Sequence, residues 1–182
     1  MLLDPKDQEA LDVKDIDVQQ KQSEYVSLIK KWNKTRNLVS RQSTDQDLEE
    51  HIVDCLAINR EISSNKILDV DTGAGLPGVV IALTTPEIKI TLLYSNQKKM
   101  AFLTHVKSKL NLKNVELRHT RIEDYDASNE KLIVCRAFSS PKELVKKIKK
   151  NTNEQTILLM MVSEDQGTFI EGFSAKYIES LA

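Results

Sequence analysis

The chain has 182 residues and a formal net charge of −1, from 26 lysines and arginines against 27 aspartates and glutamates. This length accommodates one α/β domain with a modest extension, and it excludes a second large domain. The balanced charge excludes a global attraction to nucleic acid or membrane, so such a partner must be met by a local patch. No run approaches the ~18 apolar residues of a membrane span, and the N-terminus is acidic where a signal peptide is basic. We therefore expect a cytoplasmic protein that has no membrane partner.

The two cysteines, Cys55 and Cys135, lie in separate apolar segments without a CxxC pattern or a histidine-rich neighbour. Isolated cysteines of this kind are typical of buried thiols in a reducing compartment, and they do not form a metal-binding set. We therefore predict no metal site.

Residues 1–60 are predicted to form an N-terminal helical extension. Residues 1–18 contain many aspartates and few large apolar side chains, which indicates a frayed or weakly helical lead-in. In residues 19–33 the apolar side chains fall at helical spacing, which predicts an amphipathic helix packed on the domain. These side chains are Tyr25, Leu28, Ile29 and Trp32.

A second helix is predicted after a polar turn at 33–38. Residues 43–46 have the pattern of a capping box, which opens a helix reaching about residue 60. On this helix His51 and Asp54 are three residues apart and therefore share a face. A surface or packing hydrogen bond is one interpretation of this pair, and a catalytic role is the alternative.

The stretch K-I-L-D-V-D-T-G-A-G-L-P-G at 66–78 predicts a buried strand, a tight loop and a helix start. Gly73, Gly75 and Gly78 permit positive φ or close backbone approach, and Pro77 suits the first helical position. Glycine-rich turns of this pattern serve several nucleotide ligands. The pattern predicts a nucleotide-like ligand and a parallel sheet, with an ordinary tight turn as the alternative.

Strands and helices alternate through the rest of the chain, as in a doubly wound, mostly parallel sheet. We predict helices at 78–84, 96–110 and from Pro141, and strands at 67–70, 88–94, 115–119, 131–136 and 155–162. The twenty residues that follow, 163–182, are weakly apolar and too few for two more strands.

Ligands of open parallel sheets bind at the carboxyl ends of the strands, where strand order reverses. Nicotinamide cofactors and S-adenosylmethionine both favour an acid after the second strand, because a carboxylate accepts both ribose hydroxyls; Tyr94 stands there instead. Glu123 and Asp124 are candidates to hold an adenine amino group, and a solvated loop is the alternative. The predicted strand ends are 69–75, 94–96, 118–123 and 136–139.

Five segments resemble the small-subunit ribosomal RNA methyltransferase G family, also called glucose-inhibited division protein B. They carry the motifs W-N-x-x-x-N-L, H-x-x-D and D-V-x-T-G-x-G-x-P-G, and the likeness extends from about residue 20 to 160. The segments are 25–40, 51–56, 67–78, 92–103 and 121–125. The resemblance implies a Rossmann-like class I methyltransferase domain at 61–182. It also implies transfer of a methyl group from S-adenosylmethionine to N7 of a guanine in 16S rRNA, with the small ribosomal subunit as partner and a monomeric enzyme.

The resemblance also assigns site residues. The expected cofactor-binding residues are Asp71, Gly73, Gly75, Leu76, Tyr94, Ile122, Glu123 and Arg136. The expected RNA-binding residues are Arg36, His51, Arg118, Arg121 and Arg136, and the lysines of 142–150 either extend that surface or form an ordinary solvated helix face. No catalytic base is assigned, because the N7 lone pair lies in the base plane and needs no deprotonation before it attacks the methyl group.

Three departures from the family pattern touch the ligand or the substrate. The first loop glycine of the family is Asp71, its acid after the second strand is Tyr94, and the fifth strand ends M-M-V-S-E in place of a lysine and a glycine. Loss of a carboxylate forfeits charge-assisted hydrogen bonds of about 1.5–3 kcal/mol each. The family also usually ends in an antiparallel strand pair, for which this chain is too short. Two hypotheses follow: an active methyltransferase with a modified cofactor site, or a degenerate relative that binds rRNA or a ribosome precursor without methyl transfer.

Overall fold

The computed structural model describes residues 16–40, 44–136 and 140–162. Helices and strands alternate after two N-terminal helices, and short 3-10 helices at Ile58–Glu61 and Ile122–Asp124 join neighbouring elements. The helices are α1 (Ile16–Arg36), α2 (Asp45–Ala57), α3 (Gly78–Thr84), α4 (Gln97–Lys109) and α5 (Pro141–Ile148). The strands are β1 (Lys66–Val70), β2 (Lys89–Leu93), β3 (Val115–Arg118), β4 (Leu132–Arg136) and β5 (Ile157–Met161).

The described strands form one parallel sheet in the order β3-β2-β1-β4-β5. The predicted doubly wound parallel sheet is therefore confirmed. Val70 pairs with Leu93, and Leu93 pairs with Arg118, so the carboxyl ends of β1, β2 and β3 lie in one row. Strand order reverses between β1 and β4, which is where ligands bind in open sheets of this kind.

Alternation along β1 sends its side chains into two cores. Ile67 faces the cluster built with α1 to α4, whereas Leu68 and Val70 face the cluster built with α5. From the N-terminal helices, Tyr25 and Ile52 are fully buried in the first cluster. The two N-terminal helices therefore share a core with the sheet, and the division of the chain at residue 60 stays a prediction.

The first helix is longer than the predicted 19–33, because it runs from Ile16 to Arg36 and takes in most of the predicted turn. It ends where Asn37 adopts a φ of 49°, a left-handed conformation that asparagine tolerates. The Oδ1 atom of Asn33 accepts hydrogen bonds from the backbone N–H groups of Leu38 and Val39, at 2.7 and 3.1 Å. The polar residues predicted to form a turn thus serve mainly as the last helical turn and its cap.

The capping box of α2 lies one residue later than predicted. Thr44 is the N-cap; its hydroxyl accepts from Asp47 N at 3.1 Å, and the Asp47 carboxylate accepts from Thr44 N at 2.7 Å. The α-helix ends at Ala57 and continues as a 3-10 turn, so the predicted end at residue 60 includes that turn. Ser43 lies outside the described residues.

The other predicted elements agree with the structure to within one or two residues at each end. The expected lead-in falls mainly on residues 1–15, and the expected lack of a terminal strand pair falls on residues 163–182; both lie outside the described part of the chain. Within that part, no helix has the length and apolar character needed to cross a membrane. Cys55 and Cys135 are buried and do not form a disulfide, as predicted.

Candidate functional site

The glycine loop after β1 is anchored on the end of β2. The backbone N–H groups of Asp71 and Thr72 donate to the Leu93 carbonyl, at 3.1 and 3.4 Å. Asp71 has a φ of 59°, and Gly73 and Gly75 have φ values of 59° and 102°. Asp71 therefore occupies a left-handed conformation that favours glycine and that aspartate tolerates better than most side chains.

The three loop glycines have different structural roles. A Cβ on Gly73 would meet only the Asp71 carbonyl oxygen, at 3.8 Å, so this part of the loop is open to a ligand. A Cβ on Gly75 would lie 2.6 Å from a methyl of Val79, and one on Gly78 would lie 2.5 Å from Asp69 Oδ2. The latter two glycines are needed for packing. Pro77 is the N-cap residue of α3, one position before the predicted one, and it follows a cis peptide bond.

Asp69 fixes the loop through two hydrogen bonds to its side chain. Its Oδ2 accepts from the Thr72 hydroxyl at 2.5 Å and from Gly78 N at 2.8 Å, while its buried Oδ1 has no protein partner. Complete burial raises the pKa of this carboxyl to about 7, although those two hydrogen bonds favour the charged form and Asp71 disfavours it. The side chain thus fixes both ends of the loop and titrates near neutral pH.

Tyr25 reaches the loop from α1. Its hydroxyl donates to the Ala74 carbonyl at 2.8 Å, and both residues are buried. The same hydroxyl lies 3.0 Å from where a Cβ on Gly75 would stand. Burial raises the pKa of Tyr25 well above its ordinary value, so the phenol stays protonated and donates. The N-terminal helices therefore help to fix the loop conformation.

A cavity of about 280 Å³ opens beside the loop at the ends of β1, β2 and β3. This volume lies just below the ~300 Å³ at which small-molecule pockets usually begin. All but one of its lining residues lie at strand ends, where the sheet predicts a ligand, and the exception is Lys147 on α5. They are Val70, Asp71, Leu93, Tyr94, Ser95, Thr120, Arg121, Ile122, Glu123 and Lys147.

The two departures from the family pattern, Asp71 and Tyr94, line this same cavity. Much of the Asp71 residue is exposed to solvent. Its carboxyl is nevertheless partly desolvated, which raises its pKa. The charges of Lys99 and Lys147 oppose that rise. Lys99 also places its Nζ 5.2 Å from the centroid of the Tyr94 ring. The charges of two lysines therefore act on the acid that replaces glycine.

The wall formed by Ile122 and Glu123 is held by α5 and the residues after it. The side-chain amide of Asn151 donates to the carbonyls of Ile122 and Glu123, at 2.9 and 2.8 Å. Lys147 pairs with Glu123 at 3.2 Å. The pKa of Glu123 is lowered by a hydrogen bond from its own backbone N–H and, in addition, by Lys147. Asp124 belongs to the same 3-10 helix but does not line the cavity.

Arg136 is the last residue of β4, and its charge acts on His51 of α2. Partial burial lowers the pKa of His51, and the nearby charge of Arg136 lowers it further, against the effect of Asp54. His51 is therefore mainly neutral at pH 7. Arg136 also acts on the buried Cys55 thiol, whose pKa burial raises. Residues 137–139, which complete the predicted strand end, lie outside the described residues.

The structure separates the other expected RNA-binding arginines. Arg121 is exposed and lines the cavity, whereas Arg118 pairs with Glu116 on its own strand. Arg36 is the exposed last residue of α1 and does not line the cavity. Of the residues expected to form the cationic mouth, Arg121 therefore lines the cavity, and Arg136 lies at the end of β4 with its charge acting on His51.

Of the expected cofactor-binding residues, Asp71, Tyr94, Ile122 and Glu123 line one cavity, and Gly73 lies in the adjoining loop. Gly75 and Leu76 are buried within the loop, and Arg136 does not line the cavity. Sequence reasoning assigned no cavity role to Lys99, Lys147 or Asn151, because only folding brings α4 and α5 against the strand ends. Among the described residues there is no group of histidine, cysteine and carboxylate side chains that could hold a metal ion.

Sequence comparisons with known proteins agree on one family. Residues 18–180 match the profile of the GidB family, described as rRNA small subunit methyltransferase G. The Ribosomal RNA small subunit methyltransferase G of Legionella pneumophila (strain Corby) is 40% identical over 124 residues, which is 68% of this chain and 60% of that protein. The protein of that name from Hydrogenovibrio crunogenus is 44% identical over 120 residues, 64% of this chain and 55% of the relative. The matched part of this chain thus spans between 55% and 60% of the length of these relatives.

Solved structures support the fold. Coclaurine N-methyltransferase, whose crystal structure contains N-methylheliamine and SAH, superposes with a TM-score of 0.54 at 17% identity, over 75% of this chain and 42% of that one. At such low identity the likeness speaks for the fold alone. Together with the parallel sheet described above, it confirms the predicted class I methyltransferase fold.

Proposed function

The chain belongs to the rRNA small subunit methyltransferase G family, and we propose that it transfers a methyl group from S-adenosylmethionine to N7 of a guanine in 16S rRNA. The observation that carries this proposal is the cavity at the strand ends, which gathers Asp71, Tyr94, Ile122 and Glu123 around the glycine loop. We further propose that the protein acts as a cytoplasmic monomer on the small ribosomal subunit.

The cavity fits most of an adenosine-bearing cofactor. Val70, Leu93 and Ile122 would supply an apolar wall for the adenine, and the open side of Gly73 would leave room for the amino-acid part of the cofactor. The unpartnered Oδ1 of Asp69 is a buried acceptor that a bound donor or a water would satisfy. The ribose end departs from the usual chemistry, because Tyr94 offers one hydroxyl where a carboxylate accepts two. Asp71 is a second departure, in the glycine loop.

When bound, S-adenosylmethionine supplies a methyl group on a positively charged sulfur. Guanine N7 has an in-plane lone pair, so the chain needs no general base to prepare it. The residues of the site therefore act by holding the two reactants in line and by excluding water. In this proposal the loop and the 3-10 wall fix the cofactor side, and the residues near the end of β4 fix the guanine side.

The rRNA backbone requires a local cationic surface, because the net charge of the chain is −1. We assign this surface to Arg121 at the cavity and to Arg136 beside a neutral His51, with Arg36 and Arg118 as outer contacts. Neutral His51 is able to donate or accept a hydrogen bond without adding charge next to Arg136. Lys142 and Lys146, which are exposed on α5, are further candidates for contact with the rRNA backbone.

The test is methyl transfer to small ribosomal subunits that lack the modification, with S-adenosylmethionine carrying a labelled methyl group. We expect label in 16S rRNA at a single guanine, located by chemical cleavage at N7-methylguanine. Arg136→Ala should reduce incorporation, whereas Lys89→Ala, at the amino-terminal end of β2 and away from the cavity, should not. Tight binding of the subunit without incorporation would overturn the proposal in favour of a non-catalytic relative.

A further inference from the structure

The ribose end of the cavity has an unusual electrostatic character. Tyr94 is half-buried where β2 ends, and Lys99 Nζ lies 5.2 Å from the centroid of its ring. Arg121 lines the same cavity from the loop after β3, together with the hydroxyl-bearing residues Ser95 and Thr120. The position that faces the ribose in open sheets of this kind is therefore neutral, and cations and hydroxyl groups lie close to it.

This combination changes which ribose the site favours. A carboxylate at the end of the second strand accepts hydrogen bonds from a ribose diol, and it repels a phosphate attached to either hydroxyl. The phenol of Tyr94 carries no charge and both donates and accepts one hydrogen bond. Lys and Arg side chains are the usual partners of phosphate groups. In dinucleotide-binding folds, replacement of the ribose-binding acid together with a nearby cation is the arrangement that admits a ribose phosphate.

The acids of the cavity do not cancel this preference. Glu123 is paired with Lys147 at 3.2 Å, so its charge is already balanced. Asp71 lies within the influence of Lys99 and Lys147, whose charges stabilise its ionised form. The cavity and its rim thus carry three cations, Lys99, Arg121 and Lys147, and two carboxylates, those of Asp71 and Glu123. An anionic group at the ribose end gains attraction without leaving an acid unpaired.

We propose that the ribose end of this cavity binds an adenosine whose ribose carries a 2′- or 3′-phosphate, in preference to an adenosine with a free diol. This inference rests on the placement of adenosine in the cavity under the proposed function, and it does not depend on methyl transfer. Such a nucleotide competes with S-adenosylmethionine for the site. Tyr94 and Lys99 are then specificity-determining residues that couple the enzyme to ribose-phosphorylated adenosine compounds.

The test is calorimetric titration of the full chain with four probes: adenosine, adenosine 2′-monophosphate, adenosine 3′-monophosphate and adenosine 5′-monophosphate. We expect the 2′- or the 3′-monophosphate to bind at least tenfold more tightly than adenosine. The 5′-monophosphate carries the same charge at the wrong end, so it should show no comparable gain. Equal affinities for all four probes, or a 5′-monophosphate as tight as the others, would overturn the inference.

Variants assign the preference to its residues. Lys99→Gln should reduce the preference at least fivefold, and Tyr94→Asp should reverse it, so that adenosine binds more tightly than either ribose phosphate. Lys98→Gln, which removes an exposed cation in the same helical turn, should retain the preference. A preference that survives both Lys99→Gln and Tyr94→Asp contradicts the assignment.

Titration with S-adenosylhomocysteine separates this inference from the proposed function. If S-adenosylhomocysteine and adenosine bind but a ribose phosphate adds nothing, only the present inference is wrong. If no adenosine compound binds, the placement of the cofactor is wrong and both proposals are overturned.

Discussion

The hydroxyl of Tyr25 donates a hydrogen bond to the carbonyl of Ala74, at 2.8 Å, across 49 residues of sequence. Ala74 lies between the two loop glycines that have positive φ, so the bond acts on the conformation of the loop itself. The N-terminal helix is therefore part of the candidate cofactor site, although it contributes no residue to the lining of the cavity.

Replacement of Tyr25 by Phe should weaken both the fold and the site. A lost hydrogen bond that leaves a buried carbonyl unpaired costs about 1–3 kcal/mol, and the loop loses the contact that fixes Ala74. We expect the free energy of unfolding to fall by that amount and the affinity for S-adenosylhomocysteine to fall several-fold, as measured by denaturant titration and calorimetry.

Tyr125→Phe is the matched control, because the Tyr125 hydroxyl donates to Glu130 Oε1 at 3.0 Å instead of to the loop. It should lower stability and leave the affinity for S-adenosylhomocysteine unchanged. An equal loss of affinity in the two variants would show that Tyr25 acts only through general stability.

Asp69 should make the stability of the chain fall as pH rises towards neutrality. Burial raises its pKa from 3.8 to about 7, so between these values the folded state binds more protons than the unfolded state. The free energy of unfolding then decreases with increasing pH, by at most about 1.4 kcal/mol per pH unit from this group. The contribution is complete below pH 4 and is lost by the time the pH has passed through 7.

Asp69→Asn isolates this effect, because the amide keeps the shape of the side chain and does not titrate. The difference in the free energy of unfolding between the parent chain and the variant, measured by urea titration from pH 4 to pH 8, should decline up to about pH 7 and then level off. A difference that is constant over this range would show that Asp69 is ionised in the folded chain throughout.

Much of the sheet was predictable from local patterns, whereas the composition of the cavity was not. Apolar strands ending in acids and glycines predict β1 and its loop, because period and turn chemistry are local properties. Lys147 and Asn151 lie far beyond that loop in sequence, and only the packing of α5 and the residues after it brings them to Glu123. The end of α1 was misjudged for a different reason: polar residues at 33–38 suit both a turn and a capped helix end, and the side chain of Asn33 decides in favour of the cap.

Binding to small-subunit rRNA should weaken steeply with salt. Because the net charge is −1, contact with RNA depends on a local cationic face that releases counterions on binding. The double variant Arg121→Ala with Arg136→Ala should bind more weakly and show a shallower salt dependence in a filter-binding or anisotropy assay. Lys89→Ala, at the start of β2, should behave as the parent. Affinity that is flat between low and physiological salt would place the RNA surface elsewhere.

The strand β5 should be less protected than β1. Within the described residues it pairs with β4 alone, and its side chains are half-buried or, like Ile157, exposed. β1 lies between two strands and is buried from its second residue onwards. Hydrogen exchange should therefore be faster at 156–162 than at 67–70. Equal protection of the two strands would indicate that another segment or a second chain covers the edge.

Calorimetric titration with S-adenosylmethionine, on the parent chain and on the double variant Asp71→Gly with Tyr94→Asp, tests the assignment of the cofactor site most directly. Both residues line one cavity, so the two changes act on the same ligand and their effects need not add. The aspartate introduced at position 94 restores two acceptors for the ribose, and the glycine introduced at position 71 removes a charge and relieves the left-handed conformation. We predict that the double variant binds at least tenfold more tightly than the parent, which corresponds to about 1.4 kcal/mol. A parent that binds at micromolar strength, with no gain in the double variant, would contradict this assignment.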